Sequence, residues 1–319
     1  MLKTSLINQN ENREYCILRN QKNTPLKHYF GFLALCLCVS FSCKKDDVEQ
    51  EPIRDLAEQH TADNDSLVQY LQHHFYNYED FLSAPDDYSL AIELDTLAGE
   101  NVDKIPLYDQ VSSKEVVITN SEGDEVSHTM YYLVARQGTG QAPTVADSTY
   151  VAYEGSLLNG NVFDKKEFPV WFDLFNVIRG FREGLPEFKA GTYTTNNDGS
   201  VDFKDFGQGL LFFPSGLGYF SNAQSSSIPS YSPLLFKISL YTINTADHDN
   251  DGIASIDEDV DADGNPLNDD TDSDGFPNPF DPDDDGDGTL TKDEYDADGD
   301  GEVDDSDGDG TPDYLDADN

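Results

Sequence analysis

Hydrophobic positions in this chain change their period from one stretch to the next, and the changes divide it. Residues 29–42 (YFGFLALCLCVSFS) form an apolar run with no amphipathic pattern. Leu67, Tyr70, Leu71, His74, Phe75 and Tyr78 recur at helical spacing, which predicts a helix over residues 65–78 with Thr61 or Asp65 as its cap. Strands are predicted at 129–136 (TMYYLVAR), at 149–154, from Val162 onward after a turn bracketed by Gly155 and Gly160, and at 234–243. Between them Val177, Ile178, Phe181, Leu185 and Phe188 fit one short helix, made irregular by Pro186 and stopped by Gly191.

One short helix against a mostly antiparallel sheet is an α+β domain, placed at residues 131–244 and long enough to bury its own core. Residues 43–130 are polar and acidic with brief apolar runs such as VVIT at 116–119. They read as a spacer holding the short helical segment, with a partly ordered linker or small extra strands behind it. His73 and His74 are adjacent and so point to different helix faces, which favours packing or solvent over a metal.

The run at 29–42 follows Lys27 and His28, is too short to span a bilayer, and ends in small residues, the layout of a secretory signal over 1–42. The sequence SFSC at 40–43 resembles a bacterial lipobox, in which Cys43 becomes the acylated first residue. The KKDD that follows is similar to the surface-export signal of Bacteroidetes lipoproteins. The polar lead before Lys27 is longer than an ordinary signal n-region, which points to a start downstream of Met1. All four cysteines lie within the first 43 residues, so disulfides, zinc thiolates and cysteine catalysis are excluded beyond that point.

Across residues 149–243 the pieces VAYEG, the G-x-x-FD of 160–164, WFDLFNVIRGFREGL, FPSGLGY and IPSYSPLLFKI occur in the order of the FKBP-type peptidyl-prolyl isomerases, which the region resembles. The resemblance implies a half-barrel wrapped on the short helix, with a proline pocket at Tyr153, Phe163, Asp164, Val177, Ile178, Phe181, Tyr219, Ile228 and Phe236, and proline-containing exported polypeptides as substrates. Phe181 stands where the family usually has Trp, an aromatic common near Val170 is missing, Phe220 replaces a glycine, and residues 192–209 form a polar insertion. Chemically, a dry aromatic pocket favours the twisted amide over the planar one and needs no nucleophile or cofactor. Asp164 fits an orienting acceptor for Tyr153 better than a general base. No histidine lies between His128 and His248 to build a serine triad. The alternative is a module that grips proline segments without useful turnover, as a chaperone or adhesin.

The formal net charge is -44, and residues 247–319 contain 30 acidic residues against one lysine. A nucleic-acid partner is excluded by that sign. Residues 245–319 repeat D-x-D-x-D-G, as at Asp270, Asp272, Asp274, at Asp296, Asp298, Asp300, and at Asp305, Asp307, Asp309. Two windows extend to a full calcium loop: Asp247, Asp249, Asp251 with Glu258, and Asp283, Asp285, Asp287 with Glu294. Prolines interrupt the flanks where EF-hand helices would stand, so the segment resembles the thrombospondin type 3 arrays, in which calcium replaces a hydrophobic core.

Overall fold

The computed structural model describes residues 52–85, 87, 89–120, 122–224 and 226–318. In chain order the elements are α1 (Leu56–His73), β1 (His74–Tyr76), α2 (Tyr78–Ser83), β2 (Leu94–Thr96), β3 (Ser112–Thr119), β4 (Glu125–Arg136), β5 (Ser148–Leu157), β6 (Val162–Asp173), α3 (Arg179–Gly184), β7 (Thr192–Thr195), β8 (Val201–Lys204), β9 (Gly207–Phe213), β10 (Leu234–Asn244) and α4 (Thr291–Glu294). Six of the strands form one antiparallel sheet in the order β3-β4-β9-β10-β5-β6, while β1-β2 and β7-β8 are separate pairs. The sheet is open, with β3 and β6 at its edges, and the α+β expectation holds.

β9 shows why the sheet has helices on both faces. All seven of its residues, GQGLLFF, are buried. Successive strand side chains point to opposite faces, so Leu211 and Phe213 enter the core that holds Phe181 and Leu185, while Leu210 and Phe212 enter a second core with Leu67 and Leu71 of α1. Each such burial stabilises by about 1.5–3 kcal/mol. β4 alternates in the same way, with Met130 and Val134 on one side and Tyr131 and Leu133 on the other.

The segment at 43–130 is therefore no spacer from Leu56 onward. It supplies α1, α2 and two strands, β3 and much of β4, of the main sheet. α1 starts nine residues before the predicted helix, because Asp55 caps it by accepting from the Glu58 amide at 2.9 Å. It ends at His73, where the chain turns extended to pair β1 with β2. His73 contacts the Gln69 carbonyl and His74 stacks on Tyr70 at 3.8 Å, so both histidines pack locally. The 192–209 insertion is a hairpin, β7-β8, whose last residues already belong to β9.

Candidate active site

A cavity of about 650 Å³ opens between α3, β5, β6, β10 and the loops after β9. All nine residues expected of the proline pocket line it, joined by Phe172 and Asn176. Phe181, Phe236 and Tyr153 are buried, and their rings meet at 5.3 Å (Phe181 to Phe236) and 6.0 Å (Tyr153 to Phe181). Phe172 closes the set, 5.5 Å from Tyr153 and 6.0 Å from Phe181. It gives the cavity an aromatic wall two residues from Val170. The β5-β6 register shifts between Val151 and Tyr153, where β6 residues 167–169 face Ala152 alone, and Phe172 lies beyond that bulge, paired with Thr149. Gly155 permits the closure, since a Cβ there would sit 2.6 Å from the Phe163 ring and 2.7 Å from Phe236.

The polar contacts are few. The Tyr153 hydroxyl donates to Asp164 Oδ2, and the Lys165 amide donates to Asp164 Oδ1 at 2.8 Å. Burial first, then the hydrogen bond to Asp164 and its charge, push the Tyr153 hydroxyl far above its ordinary value. The Tyr219 hydroxyl is raised as well, by burial and then by the Asp164 charge. Both phenols stay protonated and available as donors across the working pH range.

Two loops carry Tyr219 and Ile228, and the N-terminal segment holds both. Asp63, 2% exposed, accepts from the Ser215 amide at 2.8 Å and its hydroxyl at 2.5 Å, and from Gln59 Nε2 at 2.7 Å. Phe220 has φ of 46°, a left-handed conformation that explains why glycine suits this position. Its amide donates to the Ser215 carbonyl at 2.9 Å, and its ring meets Tyr231 edge-on at 5.2 Å. Arg54 lies over that tyrosine at 4.4 Å.

Comparison with known protein families finds a match within this region. Residues 139–195 match the family described as FKBP-type peptidyl-prolyl cis-trans isomerase. The chain carries an FKBP-type domain. A peptidyl-prolyl cis-trans isomerase Mip of Coxiella burnetii is 32% identical over 36% of this chain and 44% of its own. FkpA of Aeromonas hydrophila, also named an FKBP-type isomerase, is 30% identical over 50% of this chain and 56% of its own. The crystal structure of FkpA from Escherichia coli aligns at 31% identity over 40% of this chain and 51% of its own, with a TM-score of 0.30. The chain thus spans about half the length of the curated relatives it matches.

Behind the FKBP-type domain the acidic residues fold into a regular array. In five loops a glycine amide donates five residues back to the first aspartate: Gly252 to Asp247, Gly264 to Asp259, Gly275 to Asp270, Gly301 to Asp296 and Gly310 to Asp305. Polar side chains from the next turn accept from amides near these starts, as Ser255 Oγ does from His248 at 3.1 Å and Asn278 Oδ1 from Thr271 at 3.0 Å, and Thr291 Oγ1 does the same for Asp284 at 3.1 Å in a further loop at 283–288. The set Asp259, Asp261, Asp263 was overlooked in the sequence although it carries the same D-x-D-x-D-G signature. Among the described residues of this region α4 is the one α-helical turn, beside short 3-10 turns at Pro266–Asn268, Asn278–Phe280 and Asp313–Leu315.

Carboxylate oxygens converge at Asp247, Asp249, Asp251, at Asp270, Asp272, Asp274, and at Asp283, Asp285, Asp287. Burial and neighbouring charges push Asp249 up to about 7 and Glu294 up to about 7. Oxygen-only donors, crowded and short of hydrogen-bond donors, suit a hard cation. The array also touches the pocket's approach: His248 stacks on Phe175 at 4.8 Å and lies 5.2 Å from Phe280, which is 5.7 Å from Phe175. Phe175 precedes the pocket residues Asn176, Val177 and Ile178. Cys43 and the apolar run at 29–42 lie outside the described residues.

Proposed function

We propose that the chain is a peptidyl-prolyl cis-trans isomerase acting on X-Pro bonds of exported polypeptides. The observation that carries this is the aromatic cavity closed by Phe172, Phe181 and Phe236, with the Tyr153–Asp164 pair at its side. Rotation about a peptide bond faces a barrier of about 18–20 kcal/mol. Resonance in the planar amide is strongest when water solvates its dipole, so a dry pocket favours the twisted form. Val177 and Ile178 present apolar surface to the prolyl ring, and the Tyr219 hydroxyl is the donor for the displaced carbonyl. Asp164 orients Tyr153 as its acceptor. A millionfold acceleration corresponds to about 8 kcal/mol, within reach of shape and one or two such bonds.

A protease-coupled assay on a proline peptide tests this. Tyr219→Phe is expected to lower kcat/KM by about tenfold, the value of one hydrogen bond formed in the transition state. A rate no faster than the uncatalysed one, with peptide binding retained, would instead make the chain a proline-segment binding module.

The placement of the activity is part of the same reading. The signal-like run and the lipobox-like SFSC support export and acylation at Cys43, with anchoring in an outer membrane or at the cell surface. Cys43→Ala is expected to move the protein from the membrane to the soluble fraction, and an unchanged fractionation counts against the anchor. The Asp-rich array binds calcium as a structural ion, and catalysis uses none.

A further inference from the structure

We infer that Asp251, Glu258 and Asp284 together hold one hard divalent cation of the calcium class, shared between the Asp-rich loops at 247–252 and 283–288. The inference rests on reading the array as calcium-binding, and adds a ligand that no D-x-D-x-D-G signature contains. Glu258 is 0% exposed, Asp284 1% and Asp251 5%. One carboxylate oxygen from each lies within 4.8 Å of the others. Ligand oxygens about 2.4 Å from a calcium ion lie no more than about 4.8 Å apart, so the three fit around one ion.

Both oxygens of Glu258, both of Asp284 and Oδ2 of Asp251 accept no hydrogen bond among the described residues. Buried carboxylates need pairing or a metal. The single Lys or Arg within 247–319 is Lys292, which is exposed. A cation is therefore the compensating charge.

Asp284 reaches the first loop because of its place in the run Asp283-Asp284-Asp285. Asp283, Asp285 and Asp287 converge within their own loop. Asp284 falls between them, its amide held at 3.1 Å by Thr291 Oγ1, itself fully buried, and its carboxylate meets Asp251 and Glu258. The shared ion cross-links segments 26 and 33 residues apart in sequence. His248 from one segment and Phe280 beside the other both press on Phe175.

The test uses the full chain with calcium chloride as probe, followed by titration and scanning calorimetry. Asp284→Asn is expected to bind one calcium fewer per chain, leaving the remaining sites intact. Its thermal response should also change sign with the ion. In chelator the variant melts at or above the wild type, because one crowded like charge is gone, and in saturating calcium it melts below. Glu258→Gln should show the same crossing, and Asp293→Asn, exposed on α4 and outside the cluster, neither effect. A wild-type calcium count in Asp284→Asn, or a shift of one sign under both conditions, overturns the shared site alone. A wild-type chain that binds no calcium overturns the array reading and this inference with it.

Discussion

Asp63→Ala is expected to cost roughly 3–5 kcal/mol of unfolding free energy, because it strands buried donors at about 1–3 kcal/mol each. The Ser215 amide, the Ser215 hydroxyl and the Gln59 amide all lose their acceptor, in a site that is 2% exposed. In a domain of this size 1 kcal/mol moves the melting temperature by about 2–4 °C, so a drop on the order of 10 °C should be seen. Peptide affinity should fall as well, since Ser215 begins the turn that presents Tyr219. Asp65→Ala, exposed on the same helix, is the control and should stay within about 0.5 kcal/mol of wild type. A melting temperature for Asp63→Ala within a degree or two of wild type would show that α1 does not hold the pocket loop.

That helix also marks where reading the sequence alone falls short. Its buried stripe runs Gln59, Asp63, Leu67, Leu71, four residues apart throughout. Only the second half is apolar, so hydrophobic periodicity located the C-terminal turns and placed the cap too late. Asp63 becomes intelligible through Ser215, 152 residues away, and such pairings leave no local signal. The same holds for β9, where GLLFF is too short a run to distinguish a strand covered on both faces from a loop's end. With α1 and β3 taken as tether, nothing called for a second core.

The pocket was more legible because its residues sit in short ordered pieces, and all nine line the cavity. The two it lacked depend on geometry that spacing does not encode. Phe172 lies beyond the irregular stretch of β6, where three residues face Ala152 alone, and Asn176 follows a turn capped by Asp173, whose Oδ1 accepts from the Phe175 amide at 2.9 Å. In the array the alternating aspartates could be read directly. The burial of Asp284 could not, because it arises where two distant loops fold against each other.

Calcium removal should have the largest effect of all on residues 247–319. With 30 acidic side chains and one lysine, the array has little apolar surface to oppose repulsion; among its described residues the buried apolar side chains are chiefly Ile253 and Tyr314. At about 1 mM calcium and a dissociation constant of about 0.1 mM, each occupied loop adds about 1.4 kcal/mol. Five loops share the glycine-to-aspartate geometry, and together they would add about 7 kcal/mol, comparable with the whole stability of a small domain. Chelation is therefore expected to unfold the array while the six-stranded sheet persists, because β10, the last strand of that sheet, ends at Asn244. Limited proteolysis in chelator should cut within 247–319 and leave a resistant fragment ending near residue 244, and calcium should restore full protection. The release of His248 and Phe280 from Phe175 would then free the turn that leads into Asn176 and Val177, so peptide affinity should weaken in step with the cleavage. Equal protease resistance with and without calcium would mean that the hydrogen bonds between turns, such as Ser255 to His248 and Thr291 to Asp284, suffice to hold the array by themselves.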